Sequence, residues 1–189
     1  MDAEKTRIDL RFIRVHLRPI SLMPIKEAPW KASDYLALSI ATCGVGYLPL
    51  MPGTFGSLVG VAIFLFFTRV TTGSSLVALA VVAILAFTFA GIWAASRTEE
   101  LSGRKDPGKV VVDEVAGQLI ALWPLTFFTH WSTRAVIVSF ILFRFFDIVK
   151  PYPAGRFEAL RGGYGIMCDD LVAGAYGAVI MAIILAVVL

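Results

Sequence analysis

The chain has 189 residues, of which 58% are hydrophobic and only 16% charged, with a formal net charge of +3 and a mean hydropathy of +0.78. Soluble domains carry about 25% charged residues, so this composition lacks the Lys and Glu that a water-facing surface needs, and it indicates a membrane protein of one domain. A soluble helical bundle with an oversized core is the alternative reading, and the small net charge gives no support to nucleic-acid binding.

Residues 1–32 read as a separate basic extension. Arg7, Arg11, Arg14 and Arg18 are interleaved with Ile8, Leu10, Phe12, Ile13, Val15 and Leu17. This pattern fits an amphipathic helix on anionic lipid, a strand, or a mobile tail with incidental charges. Pro19, Pro24 and Pro29 forbid one long helix, and the absence of a continuous apolar stretch excludes a cleaved signal peptide.

Residues 33–189 are expected to form an all-α, multi-pass membrane bundle. The run Asp34 to Tyr47 is short and stopped by Pro49 and Pro52, which suits a re-entrant or buried helix. Five further apolar runs follow: Phe55–Thr68, Leu76–Ala95, Val115–Phe128, Ala135–Phe146 and Leu171–Leu189. Backbone groups in lipid must bond internally, so these runs are helices and about five of them cross. With the N-terminus inside, fourteen of the 17 Lys and Arg fall on one side and only Arg69 and Arg134 on the other. That bias marks the cytoplasmic side. No internal repeat is visible.

Five of the 14 acidic residues stand at the ends of apolar runs: Asp113 with Glu114, Asp147, and Asp169 with Asp170. The topology places all five at the cytoplasmic face. Carboxylates at membrane depth are costly and mark functional sites, and adjacent ones repel unless a cation sits among them. Oxygen donors alone suit a hard divalent ion such as Mg²⁺. His16 lies in the tail and His130 on the far side, so zinc and histidine-nucleophile chemistry fit poorly. Helix N-capping is the structural alternative for Asp113, Asp169 and Asp170.

Two further segments carry polar groups. Pro49-Leu50-Met51-Pro52-Gly53-Thr54-Phe55-Gly56-Ser57 places glycines and hydroxyls at a helix start, where Thr54 and Ser57 are either phosphate contacts or simple caps and Pro-Gly is otherwise a plain turn. Arg144, Asp147 and Lys150 are spaced three apart and share one side of a helix ending at Pro151. They suit either a phosphate ester in need of positive charge or an interfacial ion pair with snorkelling cations. The loops at Asp106-Pro107-Gly108-Lys109 and Arg161-Gly162-Gly163-Tyr164-Gly165 lie beside the acids and either close over a substrate or only turn the chain. Cys43 and Cys168 form no ligand cluster and read as small apolar packing residues.

At these residues the chain resembles a known family. Pro52-Gly53-Thr54-Phe55-Gly56-Ser57-Leu58, Val112-Asp113-Glu114-Val115-Ala116-Gly117, Arg144-Phe145-Phe146-Asp147-Ile148-Val149-Lys150-Pro151-Tyr152-Pro153 and Gly163 to Gly174 are similar, in order, to four signatures of the phosphatidylglycerophosphatase A family. The resemblance covers the chain from about residue 33 onward. It implies Mg²⁺-dependent removal of phosphate from phosphatidylglycerophosphate, a phospholipid substrate held in a bacterial inner membrane. It further implies metal-binding or catalytic acids at Asp113, Glu114, Asp147, Asp169 and Asp170, and a phosphate contact at Lys150. The metal set is expected at Asp113, Glu114, Asp169 and Asp170, with Arg144 as a second cation for the phosphate. Water activated by the cation, or one of the aspartates, is the nucleophile; the sequence leaves the two open, as it does metal number and oligomeric state. Cysteine-phosphatase, haloacid-type and serine–histidine patterns are missing. A transporter or channel using intramembrane carboxylates is the competing class.

Overall fold

The computed structural model describes residues 30–128, 131–157 and 159–188; all but the last residues of the N-terminal extension, and His130, lie outside them. Every regular element among the described residues is a helix. The α-helices are α1 (Ala32–Thr42), α2 (Pro52–Val70), α3 (Gly73–Ser102), α4 (Val112–Leu122), α5 (Thr133–Val149), α6 (Ala154–Phe157) and α7 (Gly163–Val188), with 3₁₀ turns at Val45–Tyr47 and Trp123–Phe127.

The helix α4 is the axis of the bundle and packs against α2, α3, α5 and α7. Most of its residues, from Val112 to Leu122, are buried. The outer helices are apolar on both sides. Phe66 on α2, Val82 and Phe89 on α3, Ile141 on α5 and Val179 and Ile183 on α7 all point outward and are exposed. In water such a shell would be a large uncompensated patch; in lipid it costs nothing.

Among the described residues α2, α3 and α7 are long and apolar enough to cross a membrane, and only 28%, 22% and 39% of their most apolar stretches are buried inside the protein. An apolar solvent must cover the rest, so the soluble-bundle alternative fails. At 30 residues, α3 is about 45 Å long. It outreaches a hydrocarbon core of about 30 Å and carries Arg97, Glu99 and Glu100 beyond it. The shorter α4 and α5, of 11 and 17 residues, do not by themselves reach that thickness, so the apolar runs that suggested five crossings yield three helices of full spanning length.

The short first run is the helix α1, of 11 residues. Its Asp34 carboxylate is buried and caps the helix start, accepting from the Lys31 backbone N–H at 2.9 Å. Asp34 also accepts from Arg97 Nε and Nη2, both at 2.8 Å, which ties α1 to α3. The Arg97 guanidinium, helped by the Lys31 amide, holds the Asp34 carboxyl below its usual range. The loop after α3 returns under α1, where the Val111 N–H donates to the Ala41 carbonyl at 2.8 Å. Gly46 lies where this loop crosses, and a Cβ there would collide with the Lys109 carbonyl.

The largest departure from the sequence reading is the start of α7. The helix begins at Gly163, eight residues before the apolar run. The Ser96 hydroxyl accepts from the Gly163 N–H at 2.7 Å, and Gly163 lies so close to α3 that a Cβ would strike the Ile92 carbonyl. The glycine segment around Gly163 is therefore the first turn of a helix rather than an open loop, and Asp169 and Asp170 lie in its second turn.

Candidate active site

The site forms where four helix ends meet. Asp113 and Glu114 occupy the first turn of α4, whose N-cap, Val111, supplies no side-chain bond. Asp170 projects from the second turn of α7. One carboxylate oxygen from each of Asp113, Glu114 and Asp170 lies within 4.8 Å of the others. None of the three is a helix N-cap, so the capping alternative fails, for Asp169 as well.

Glycines bring these acids together. Gly117 follows Glu114 by one turn and Gly174 follows Asp170 by one turn. At this level α4 and α7 touch backbone to backbone: a Cβ on Gly174 would overlap the Gly117 carbonyl. On the other side, Gly53 of α2 faces Glu114, and its missing side chain leaves room for the Glu114 carboxylate.

The remaining expected residues surround this trio. Asp147, near the end of α5, pairs with Arg144 Nη1 at 2.6 Å. Arg144 Nη1 also reaches the Ser57 hydroxyl at 3.4 Å, and that hydroxyl donates to the Gly53 carbonyl at 2.9 Å. Lys150 stands at the left-handed C-cap of α5 with φ of 46°, and its Nζ donates to Asp169 Oδ2 at 2.6 Å. Asp169 also lines a cleft with Lys105, Asp106, Leu160, Gly162, Gly165 and Ile166. Thr54 lies in the first turn of α2, half-buried, without a side-chain bond to the acids. Met51, not Thr54 or Ser57, is the N-cap of that helix.

The donor set fits a hard divalent cation. Asp113 Oδ1, Glu114 Oε2 and Asp170 Oδ2 are all buried without a hydrogen-bond partner. Two unit charges 4.8 Å apart repel by roughly 3.5 kcal/mol at an effective dielectric of about 20. Three carboxylates at this spacing could hold a cation between them, which would offset that repulsion. Burial pushes the Cys43 thiol up to about 11, away from a reactive thiolate.

Sequence reasoning passed over Gln118, a polar residue one turn below Glu114 in an otherwise apolar stretch of α4. It also passed over Ser96 and the Asp34–Arg97 pair, which fix the ends of α7 and α1 and carry no local pattern.

Residues 39–185 match the sequence profile described as phosphatidylglycerophosphatase A. The chain belongs to the phosphatidylglycerophosphatase A family. It is accordingly a phosphatase, which sets aside the transporter reading. A Haemophilus influenzae protein named phosphatidylglycerophosphatase A is 34% identical over 151 residues, covering 73% of this chain and 81% of that protein. Its Escherichia coli namesake is 35% identical over 159 residues, covering 83% and 87%. A Bacteroides thetaiotaomicron protein with the provisional name phosphatidylinositol-3-phosphatase is 38% identical over 154 residues, covering 81% and 96%. No solved structure matches the chain.

Proposed function

We propose that this enzyme hydrolyses the terminal phosphate of phosphatidylglycerophosphate to give phosphatidylglycerol and inorganic phosphate, with Mg²⁺ held by Asp113, Glu114 and Asp170. The convergence of these three carboxylates at one end of an apolar bundle carries the proposal. It is supported by the two relatives named for that activity.

When bound, Mg²⁺ offsets phosphate charge and lowers the pKa of a coordinated water. The protein supplies the rest. Lys150 and Arg144 bring positive charge to the phosphoryl oxygens and the leaving oxygen. Ser57 orients Arg144. Asp147, beside Asp170, is placed to take the proton of the attacking water and to pass it to the leaving glycerol oxygen as the phosphorus–ester bond breaks. Lipid tails stay among the exposed apolar side chains of α5, such as Phe145 and Ile148, while the headgroup reaches the acids.

The site faces the cytoplasm of a bacterial cell in this reading. Lys105, Lys109, Arg156 and Arg161 share its end of the bundle, whereas Arg69 and Arg134 mark the opposite end. The helix α4 with its 3₁₀ extension to Phe127 rises about 26 Å, close to the thickness needed to complete a fourth crossing; α5 makes the fifth.

The deciding experiment is phosphate release by the purified full-length protein in detergent. Phosphatidylglycerophosphate with Mg²⁺ is expected to be hydrolysed, and excess EDTA is expected to cut the rate at least about 100-fold, more than the loss typical of disturbing a ligand's neighbour. Undiminished release in EDTA would refute the cation. Faster hydrolysis of phosphatidylinositol 3-phosphate would instead assign the substrate suggested by the Bacteroides relative's name. The Lys150→Gln variant is expected to lose about 10²-fold in kcat/KM while binding Mg²⁺ as tightly as the parent, measured by initial rates and calorimetry.

A further inference from the structure

Gln118 is fully buried, and neither its Nε2 nor its Oε1 has a hydrogen-bond partner. A carboxamide in that position is costly unless it is used, and Val115, Ala116 and Leu119 around it are plain apolar packing. Its position indicates the use. Gln118 follows Glu114 by four residues, so the two side chains are neighbours on α4. Both face the glycine side of α2: Glu114 lies against Gly53, and a Cβ on Gly60 would come within 3.0 Å of Gln118 Cβ. Glu114 Oε2 is likewise buried and without a partner.

A third such group stands on the buried face of α5. Val136, Ser139 and Phe143 form the buried face of α5. Phe143 packs on Gly117, and Val136 packs in one cluster with Leu119 and Leu122. Ser139, between them, therefore faces the stretch of α4 that holds Gln118, and its hydroxyl is fully buried and unpartnered.

We propose that Gln118 is a positioning residue for Glu114. Its Nε2–H donates through one bridging water to Glu114 Oε2, and its Oε1 is linked to the Ser139 hydroxyl through a second. The pair fixes the orientation of the carboxylate that faces the cation. This inference rests on the proposed metal role of Glu114. Partners behind a metal ligand are typically worth 10- to 100-fold in metal affinity.

The test is calorimetric titration of Mg²⁺ into the purified full-length protein in detergent, with thermal midpoints in EDTA. Gln118→Met, which keeps the volume and removes the amide, is expected to weaken Mg²⁺ binding 10- to 100-fold with an equal or higher midpoint in EDTA. Ser139→Ala is expected to weaken it by a smaller factor in the same direction and serves should Gln118→Met fail to fold. Affinity within twofold of the parent in the folded variants would overturn the proposal. So would a lower midpoint with unchanged affinity, which would make Gln118 a packing residue only. A parent that binds no Mg²⁺ would overturn the proposed function and this inference with it; a parent that binds and variants that match it overturn this inference alone.

Discussion

Replacing Asp170 with Asn is expected to abolish phosphate release, a loss beyond about 100-fold, while making the metal-free protein more stable. The two signs have one cause. Asp170 meets Asp113 and Glu114 within 4.8 Å, and its Oδ2 is buried without a partner. In the absence of a cation the third carboxylate only adds repulsion, so its neutral isostere relieves the fold. Each kcal/mol relieved raises the midpoint of a chain of this size by about 2–4 °C. With Mg²⁺ present the order reverses. The parent gains binding energy, about 2.7 kcal/mol at a concentration 100 times its Kd, and the variant gains much less. Thermal melts of both proteins in EDTA and in saturating Mg²⁺ give all four numbers. A variant less stable than the parent in EDTA would show that Asp170 is a structural acid and would remove the cation from the site.

Gly174→Ala is expected to damage activity from outside the site. The new Cβ would overlap the Gly117 carbonyl, and backbone cannot rotate away as a side chain can. The helix α7 must shift from α4, and Asp170, one turn above the contact, moves with it. Overpacking of this kind costs about 1–3 kcal/mol in stability. A displacement of about 1 Å at the reacting groups costs about 10²-fold in rate. The measurement is kcat/KM beside the thermal midpoint. Gly53→Ala is the informative contrast, because its Cβ would meet the Glu114 carboxylate rather than backbone. It is expected to lower activity and Mg²⁺ affinity with little change in stability. Full activity in Gly174→Ala would show that the glycine crossing does not set the distance between the acids.

Much of this molecule was legible before any coordinates. The long apolar runs announced α2, α3 and α7, because lipid-facing helices are apolar all round and leave an unbroken signal. The buried α4 gave a run of the same kind although it is the core rather than the shell, since burial in protein and burial in lipid select the same residues. Hydropathy alone therefore did not reveal that α4 and α5, of 11 and 17 residues, are shorter than α2, α3 and α7. Asp169 and Asp170 were placed at the end of an apolar run, whereas α7 extends a further two turns through Gly163 and Gly165. Glycine ordinarily argues against a helix; here the close approach to Ile92 demands it and the Ser96 cap fixes the start.

By itself the sequence determined that this chain is a helical membrane protein with five acids and two cations gathered at one face, because hydropathy and charge are properties of single residues and short windows. Only the tertiary structure decided which acids share a point. Asp113, Glu114 and Asp170 meet there, Asp169 turns to Lys150, and Asp147 turns to Arg144. That division depends on where Gly117 and Gly174 let two backbones touch, a contact between residues far apart in the chain that no local pattern encodes.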